Sequence, residues 1–574
     1  MANTISGTLI TRNYTDFRGV DFTDEEVSLM RSPDSLNMWK DYKKLGKSIE
    51  TRPKMRLFKE YDNTIFGLFF YKVGTNEMLI VHSGTKLYKE QEGIKEELYT
   101  GMKPAKSYSF VYNNILYIKD GINYLKYDGE TLSSAEEDAF VPTTTISRSP
   151  NGGGTTYQDI NMLSPYRRNS FVGDGESRDY HLDTTGLDVG ENTVTVTIND
   201  VLMVEGTDFS VNRETGVVTF NSIPPKPLTD GQDNVFITFK KTVDGYADRI
   251  KKCTLLTVFD NRVFFSGNQD YPNVVWHSSL NDPSYCSDLD YYNEGLDLSP
   301  VKSMVAGNNA LWVFKEPSQA NTTVFYHNPT IDSTYGKVYP SSHSSISTGC
   351  IATGINFNDD IVFFSDRGME AINGDVTTEQ VLAHRSSLVD SKLVTEEKYK
   401  DMILEEYAGY LLVIIENKVY LADSRAMFTN GDHNEYEWFY WELEEKITIT
   451  KVKDGVLYLG TEKGIFVLDD VSNEREVESY WITPLDEFKY PHYQKTTNKR
   501  GSVTDIKGNN ITISTKLNNS EFTEIVTHNQ INGYVVNRIK KKKWKSIQLK
   551  FSSNLPFELR STTLEAYVGG YIKR

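Results

Sequence analysis

The nine histidines are the first residues to consider for metal or acid–base chemistry. A zinc site needs histidines and cysteines at close spacing, as in an HExxH motif or a pair of cysteines. None of the nine has such neighbours, and Cys253, Cys286 and Cys350 lie far apart. We therefore expect no metal, no cofactor and no disulfide framework. The histidines are His82, His181, His277, His327, His343, His384, His433, His492 and His528.

Two acidic motifs match functional loops in part. Asp288 and Asp290, with Asn293 and Gly295, resemble the start of a calcium loop, but the spacing differs and no glutamate closes it. Residues 365–368 (SDRG) resemble the Asp-box turn of sialidases, without its closing tryptophan and without recurrence in other repeats. We interpret the first motif as a solvated acidic loop and the second as a hairpin turn. The sequence also lacks a GxSxG elbow and a phosphate-binding loop, so we expect no catalytic residues.

The densest charge in the sequence is a basic run near the C-terminus. One hypothesis is an interface with an acidic neighbouring subunit, another partner or DNA phosphates. The alternative is a solvated turn whose lysines keep a strand edge from pairing. The candidate interface residues are Arg538, Lys540, Lys541, Lys542, Lys543 and Lys545.

The distribution of charge separates the C-terminal end from the rest of the chain. Residues 489–574 contain 16 Lys and Arg against 5 Asp and Glu, a net charge of +11. The whole chain carries −17, which leaves −28 for residues 1–488. An acidic body with a basic end suggests a partner surface at that end.

A repeated hairpin pattern organises the sequence. A polar turn precedes a short β-branched and aromatic run, and a second turn and apolar run follow. Copies start at residues 67, 114, 261, 310, 360, 410 and 455. Most intervals between successive starts are close to the length of a propeller blade, about 40–50 residues. The pattern predicts an all-β fold, a β-propeller of six to eight blades.

The one long step, between residues 114 and 261, indicates an inserted domain. Within it, Thr193–Ile198 alternates with period two, and further short strands follow at a spacing typical of an immunoglobulin-like β-sandwich. Helix is scarce, with candidates at Thr23–Met30 and Thr395–Glu405. The expected organisation is an N-terminal arm (1–55), first blades (56–135), inserted β-sandwich (136–247), remaining blades (248–478) and basic C-terminal β-domain (479–574).

The sequence also bears on location. The N-terminus lacks the basic start and apolar core of a signal peptide. Apolar runs such as Tyr410–Ile415 are too short to cross a bilayer, so we expect no membrane partner. Few and distant cysteines favour assembly in a reducing cytoplasm.

Three groups of turn-rich stretches occur in order along the chain. They are 13–21 with 31–38 and 50–53; 261–268 with 271–276 and 280–283; and 311–316. In this order they resemble the tail nozzle proteins of podoviruses, also called head or DNA stabilisation proteins. The resemblance spans most of residues 10–470, and its motifs are structural turns rather than catalytic signatures.

The resemblance implies a virion structural protein that forms a homo-oligomeric ring, with a hexamer favoured. Such a ring would lie in the virion tail below the portal and adaptor rings, contact tail fibre or spike proteins, and be assembled in the bacterial host cytoplasm. It would retain packaged DNA and provide the channel for its ejection without sequence recognition. The family offers no catalytic residues to carry over. An acidic channel would let DNA slide rather than adhere.

Two other functions remain open from the sequence. A propeller-type polysaccharide hydrolase would need paired carboxylates at the propeller axis. A receptor-binding tail component would use the inserted sandwich to hold a sugar or a protein. The oligomeric state separates these hypotheses, because a closed ring favours the nozzle and a monomer that cleaves glycans favours the hydrolase.

Overall fold

The computed structural model describes residues 7–23, 27–44, 46–320, 322–333, 336–373, 380–431, 433–470, 476–539 and 543–571. Two compact units divide the chain. Unit 1 comprises Met1–Phe70, Val81–Gly84 and Ser344–Arg574. Unit 2 comprises Tyr71–Ile80 and Thr85–His343.

Seven four-stranded antiparallel sheets of the described residues form the propeller blades, so the predicted β-propeller is confirmed. The residues of blade 1 are divided between the two units. Blade 1 contains Ile65–Val73, Asn76–Ser83, Lys86–Gln91 and Ile94–Thr100; blade 2 contains Tyr108–Tyr112, Ile115–Lys119, Tyr124–Tyr127 and Leu132–Ser134. Blade 3 contains Leu255–Phe259, Arg262–Ser266, Val274–His277 and Tyr291–Asn293; blade 4 contains Val301–Gly307, Ala310–Lys315, Val324–His327 and Ser341–His343. A small hairpin, Thr330–Asp332 with Gly336–Val338, extends from blade 4.

Blade 7 is completed by a strand from near the N-terminus. Lys54–Glu60 pairs antiparallel with Gly464–Asp470, with Glu60 opposite Gly464. This strand begins the segment that the sequence predicts as the first blades. Blade 5 contains Gly354–Phe357, Asp360–Ser365, Gly368–Asn373 and Val381–His384; blade 6 contains Ile403–Tyr407, Tyr410–Ile415, Lys418–Asn430 and His433–Glu442; blade 7 contains Ile449–Lys453, Val456–Gly460, Gly464–Asp470 and Lys54–Glu60.

The first turn of blades 2 to 7 has a repeated backbone conformation. Each turn has two central residues with positive φ, which is the requirement of a type I′ hairpin turn. Asparagine, aspartate and glycine occupy all but one of these positions because they tolerate that conformation best. The six pairs are Asn113–Asn114, Asp260–Asn261, Asn308–Asn309, Asn358–Asp359, Ala408–Gly409 and Asp454–Gly455.

The second strand of most blades is buried on both faces. Every residue of Ala310–Lys315 and of Tyr410–Ile415 is buried. A strand covered on both faces needs a continuous apolar run rather than alternation. In unit 1, Val362 and Phe364 of blade 5 share a core with Leu411 and Val413 of blade 6.

The insert is a two-sheet β-sandwich within unit 2, as the fold prediction required. Its core includes Phe171, Tyr180, Val196, Phe220 and Ile237. The larger sheet contains Thr143–Arg148, Thr155–Thr156, Tyr166–Phe171, Val194–Ile198, Val201–Met203 and Val235–Lys240; the smaller contains Asp179–His181, Phe209–Asn212 and Val217–Phe220. The helix Tyr246–Lys251 follows.

The C-terminal β-domain, in unit 1, is assembled from both ends of the chain. Thr8–Tyr14 pairs along Phe557–Tyr571, and Ser35–Leu36 pairs with Ser479–Ile482. The N-terminal arm is therefore part of the sheets of this domain. The seven-stranded sheet contains Thr8–Tyr14, Met38–Trp39, Ile49–Thr51, Tyr493–Gly508, Ile531–Asn537, Lys543–Trp544 and Phe557–Tyr571; the five-stranded sheet contains Ser35–Leu36, Ser479–Ile482, Ile511–Leu517, Thr523–His528 and Ile547–Ser553. Gly19–Val20 and Arg31–Ser32 form a separate parallel pair.

Both helix predictions are wrong in their described parts. Residues 27–30 are not helical, and 24–26 lie outside the described residues. Instead of a helix over Thr395–Glu405, a short helix spans Asp390–Leu393, a 3₁₀ turn spans Tyr399–Asp401 and a strand begins at Ile403. A strand forms in place of the helix because Ile403–Tyr407 pairs with the buried strand Tyr410–Ile415. Such tertiary pairing overrides local helix propensity.

Candidate functional site

The basic run divides into buried anchors and exposed cations. Ile539 and Trp544 are buried, whereas Arg538, Lys543 and Lys545 are exposed. The predicted interface residues Lys540, Lys541 and Lys542 lie outside the described residues. The indole of Trp544 donates a hydrogen bond to Thr497 (3.0 Å) and Lys543–Trp544 pairs with the long strand Tyr493–Gly508. The buried anchors therefore hold the basic side chains at the surface.

The three exposed cations have no ion pair within the described part of the chain. Arg538 and Lys543 are among the residues that line a cleft of about 260 Å³ in the C-terminal β-domain. Leu517, Ile525 and Ile539 supply its apolar lining. The other lining residues are Thr515, Asn518, Ser520, Thr523 and Glu524. A cleft lined by apolar, polar and basic side chains suits an acidic segment that also carries apolar side chains.

Not every lysine of the basic end belongs to this surface. Lys495 is buried, and its ammonium donates to the carbonyls of Tyr490 (2.7 Å), Tyr493 (3.1 Å) and Lys545 (2.6 Å). Burial lowers the pKa of Lys495. Its ammonium group is therefore occupied by these three carbonyls and is not available to a partner.

The N-terminal stretches that carry the family resemblance form a structural bracket in unit 1. The Asn37 side chain accepts hydrogen bonds from the Arg52 guanidinium (2.8 Å) and from the backbone of Glu442 (2.9 Å), and donates to the carbonyl of Glu478 (2.8 Å). The φ of Asn37 is 56°, a conformation that asparagine tolerates better than most residues. The bracket joins blade 6 to the C-terminal β-domain, so these motif residues are structural.

The stretches at 261–283 and 311–316 lie in blades 3 and 4, where a buried polar network connects the two sheets. Lys315 is fully buried and donates to the carbonyl of Glu294 (2.6 Å) and the carboxylate of Asp297 (2.6 Å). The Glu294 carboxylate also accepts from His327 (2.8 Å) and Ser341 (2.6 Å). The Glu294 carboxylate is therefore occupied by two donors from within the chain.

Another cluster of titratable residues surrounds His384 in blade 5. The imidazole contacts Asp390 at 2.6 Å and Glu370 at 3.3 Å. Burial lowers the pKa of His384, but hydrogen bonds to Asp390 and Glu370 outweigh burial and raise it to about 10. A histidine that stays protonated at neutral pH does not act as a general base. The nearby residues 365–368 form the hairpin turn expected from the sequence.

The described residues hold no group of three or more His, Cys, Asp and Glu side chains placed to bind a metal ion. The three cysteines are buried, and none of them forms a disulfide. Within the same part of the chain, no helix is both long and apolar enough to cross a membrane.

The sequence analysis missed one feature of the surface. Leu289 is exposed before the last strand of blade 3, Leu296 and Leu298 are exposed after it, and these residues do not fit the hairpin pattern. Leucines in an acidic stretch outside the hairpin repeat were the feature of the sequence that could have indicated this exposed apolar surface.

Comparison with known proteins returns only distant structural likenesses. No protein-family model and no curated protein matches the chain. Similar solved structures include the designed protein Ika8 (10% identity, TM-score 0.31, 72% of this chain and 99% of that chain). Others are BamB from Moraxella catarrhalis (10%, 0.32, 74% and 99%) and Hsv2 from Kluyveromyces lactis (9%, 0.24, 67% and 98%). Likenesses this distant carry no argument, and the assignment of a β-propeller rests on the seven four-stranded sheets of the chain itself.

Proposed function

We propose that this chain is a virion structural protein that forms a ring in the tail nozzle of a short-tailed bacteriophage. The ring would retain packaged DNA and provide the channel for its ejection. The observation that carries the proposal is the set of exposed cations Arg538, Lys543 and Lys545 on the C-terminal β-domain, in a protein whose first 488 residues carry −28. None of the three forms an ion pair among the described residues, so their charge can meet an acidic neighbour.

The family resemblance supplies the kind of assembly. A ring of identical subunits uses two different patches on each subunit. An acidic body and a basic end on one chain meet that requirement. The acidic excess also fits a channel along which DNA slides, because a negative wall repels phosphates.

The first experiment measures the oligomeric state of the full chain by native mass spectrometry and negative-stain imaging. We expect a closed ring at low salt, with a hexamer favoured. High salt should weaken the ring, since the Debye screening length falls to about 3 Å near 1 M. A protein that stays monomeric and cleaves glycans would contradict the proposal and favour the polysaccharide hydrolase.

The second experiment reverses the exposed cations in the triple variant Arg538→Glu, Lys543→Glu, Lys545→Glu. We expect the variant to fold normally and to lose the ring at low salt. The matched control is Lys446→Glu, Lys463→Glu, which reverses two exposed lysines outside the C-terminal β-domain. If both proteins form the ring like wild type, the basic side chains are a solvated guard of a strand edge.

A further inference from the structure

Four arginines are buried among the described residues, and one of them has no partner. Arg52 and Arg385 each donate three hydrogen bonds, and Arg148 donates two. The fourth, Arg167, is 7% exposed, and its side chain forms no hydrogen bond or ion pair within the described part of the chain. Because burying an unpaired charge is costly, this guanidinium indicates a site for an anion from outside the chain.

The strand Tyr166–Phe171 of the inserted β-sandwich holds Arg167 in place. Other strands pair with it on both sides. Side chains alternate along a strand, so Arg167 lies on the same face as Phe171, a residue of the sandwich core. The next residue, Arg168, is exposed on the opposite face. The guanidinium therefore extends from the inner face of a sheet that fixes its backbone.

Arg167 lines a cavity of about 210 Å³ between the insert and the helix Tyr246–Lys251. Every residue of the lining is among those that the structure describes, and all of them belong to unit 2. Apolar groups of the same lining come from Leu163, Pro165 and Val243. One cavity thus combines a buried cation with apolar surface.

The two lysines of the lining are engaged elsewhere. The Lys241 ammonium donates to the carbonyl of Gly186 (2.5 Å), and that of Lys240 lies 3.9 Å from Asp188. Ser164, which also lines the cavity, is 6% exposed, and its hydroxyl donates to no described residue. The cavity therefore offers one buried guanidinium and one hydroxyl to a ligand.

Carboxylates near Arg167 limit the charge that a ligand can carry. Glu136 lines the cavity and lies 2.9 Å from the Lys251 ammonium. Asp288 accepts a hydrogen bond from the hydroxyl of Tyr246 (3.3 Å). Burial raises the pKa of Asp288, and the charge of Arg167 opposes this rise, so these two side chains are neighbours. A dianion would meet repulsion that a single guanidinium does not balance, whereas a monoanion matches it.

We propose that this cavity binds a small organic monocarboxylate. The carboxylate accepts hydrogen bonds from the terminal N–H groups of Arg167 and from the hydroxyl of Ser164. The apolar part of the ligand lies against Leu163, Pro165 and Val243. Guanidinium and carboxylate groups are complementary in shape and charge. The inference does not rest on the proposed ring.

The first test compares benzoate with benzamide, its uncharged analogue, by isothermal titration calorimetry on the full chain. We expect benzoate to bind at least about tenfold more tightly, because hydrogen bonds to an ionised acceptor are about twice as strong as neutral ones. Inorganic phosphate should not compete with benzoate. Equal binding of benzoate and benzamide, no binding of either, or equal competition by phosphate would overturn the proposal.

The second test is the variant Arg167→Met, with Arg168→Met as the matched control on the opposite face of the strand. Methionine is of similar length and carries no charge, so Arg167→Met should fold at least as stably as wild type. Its affinity for benzoate should fall by at least about tenfold, and Arg168→Met should bind like wild type. The same affinity in all three proteins would contradict the role of Arg167.

Thermal unfolding of the wild type provides a measurement that does not depend on a folded variant. A ligand that binds only the folded state raises the unfolding temperature as its concentration increases. Benzoate should raise this temperature, and benzamide at the same concentration should not. An equal response to both ligands would overturn the site, because it would show that the carboxylate is not recognised.

The end of a peptide chain also carries a carboxylate, so a further arm of the titration uses N-acetyl-alanyl-leucine. We expect it to bind more weakly than benzoate, because the cavity is smaller than the sites of about 300–1,000 Å³ that hold larger ligands. Tighter binding of the dipeptide than of benzoate would overturn the assignment to a small molecule and indicate a chain end.

Discussion

Blades 3 and 4 and the C-terminal β-domain use the same types of charged residue in opposite ways. In the blades, Lys315, Glu294 and His327 are buried; Lys315 pairs with Asp297, and Glu294 pairs with His327. In the C-terminal β-domain, Arg538 and Lys543 are exposed without an ion pair in the described part of the chain. Buried charges must be paired because desolvation is costly. Exposed ones cost the fold little and remain available to a partner.

This difference shows why a count of charges does not locate an interface. The basic end includes buried Lys495, which donates to three carbonyls, as well as exposed Lys545. The two contribute equally to the net charge of +11. Substitutions in the buried network should therefore change stability, and substitutions at the exposed cations should change association.

The largest loss of stability should come from Lys315→Ala. The change leaves Asp297 and the carbonyl of Glu294 without their buried cation, and breaking a buried pair typically costs about 3–5 kcal/mol. Chemical denaturation should show a loss of that size. Lys302→Ala in the same blade removes a partly exposed pair with Glu316 and should cost less than about 1 kcal/mol. Equal losses of stability in both variants would contradict the expectation that buried ion pairs contribute more to stability than exposed ones.

The His384 cluster should make stability depend on pH. Because the folded-state pKa is about 10 against an ordinary 6.5, its contribution is complete below pH 6.5 and is lost as pH rises towards 10. The release of one proton changes the free energy of unfolding by at most about 1.4 kcal/mol per pH unit. His384→Gln should lack this part of the slope in denaturation curves measured across that range. Asp390→Asn should reduce it, and an unchanged slope in both variants would contradict the assignment.

Removing a buried hydroxyl that has no hydrogen-bond partner should stabilise the protein, whereas removing a paired one should destabilise it. The hydroxyl of Tyr180 in the insert is buried and has no hydrogen-bond partner among the described residues. Tyr180→Phe should therefore stabilise the protein by about 1 kcal/mol in thermal or chemical unfolding. Tyr339→Phe, which removes a 2.5 Å hydrogen bond to Asp260, should destabilise it. A loss of stability in Tyr180→Phe would indicate a partner for that hydroxyl.

The smallest effect on stability should come from Arg538→Ala, Lys543→Ala, Lys545→Ala. Exposed substitutions usually change the free energy of unfolding by less than about 0.5 kcal/mol each. The same variant should weaken self-association and reduce its dependence on salt, as measured by sedimentation at low and high ionic strength. A large loss of stability would place these side chains in the fold rather than at an interface.

The local pattern of the sequence was sufficient to predict the blades. A continuous apolar run such as Tyr410–Ile415 marks a strand covered on both faces, and the paired positive-φ turns recur at blade spacing. The basic run was predictable as a run, but its division into buried Trp544 and exposed Lys543 and Lys545 was not. That division depends on which neighbour covers each side chain.

The sequence by itself therefore determined the all-β class, the repeated hairpin and the place of the insert, because these follow from period-two strands and local turn chemistry. Tertiary structure decided the pairing of Lys54–Glu60 with Gly464–Asp470 and of Thr8–Tyr14 with Phe557–Tyr571. The partners are separated by about 400 residues or more, so no local periodicity records their register. Such pairings depend on loop closure and on the sheet edges that the rest of the fold leaves open.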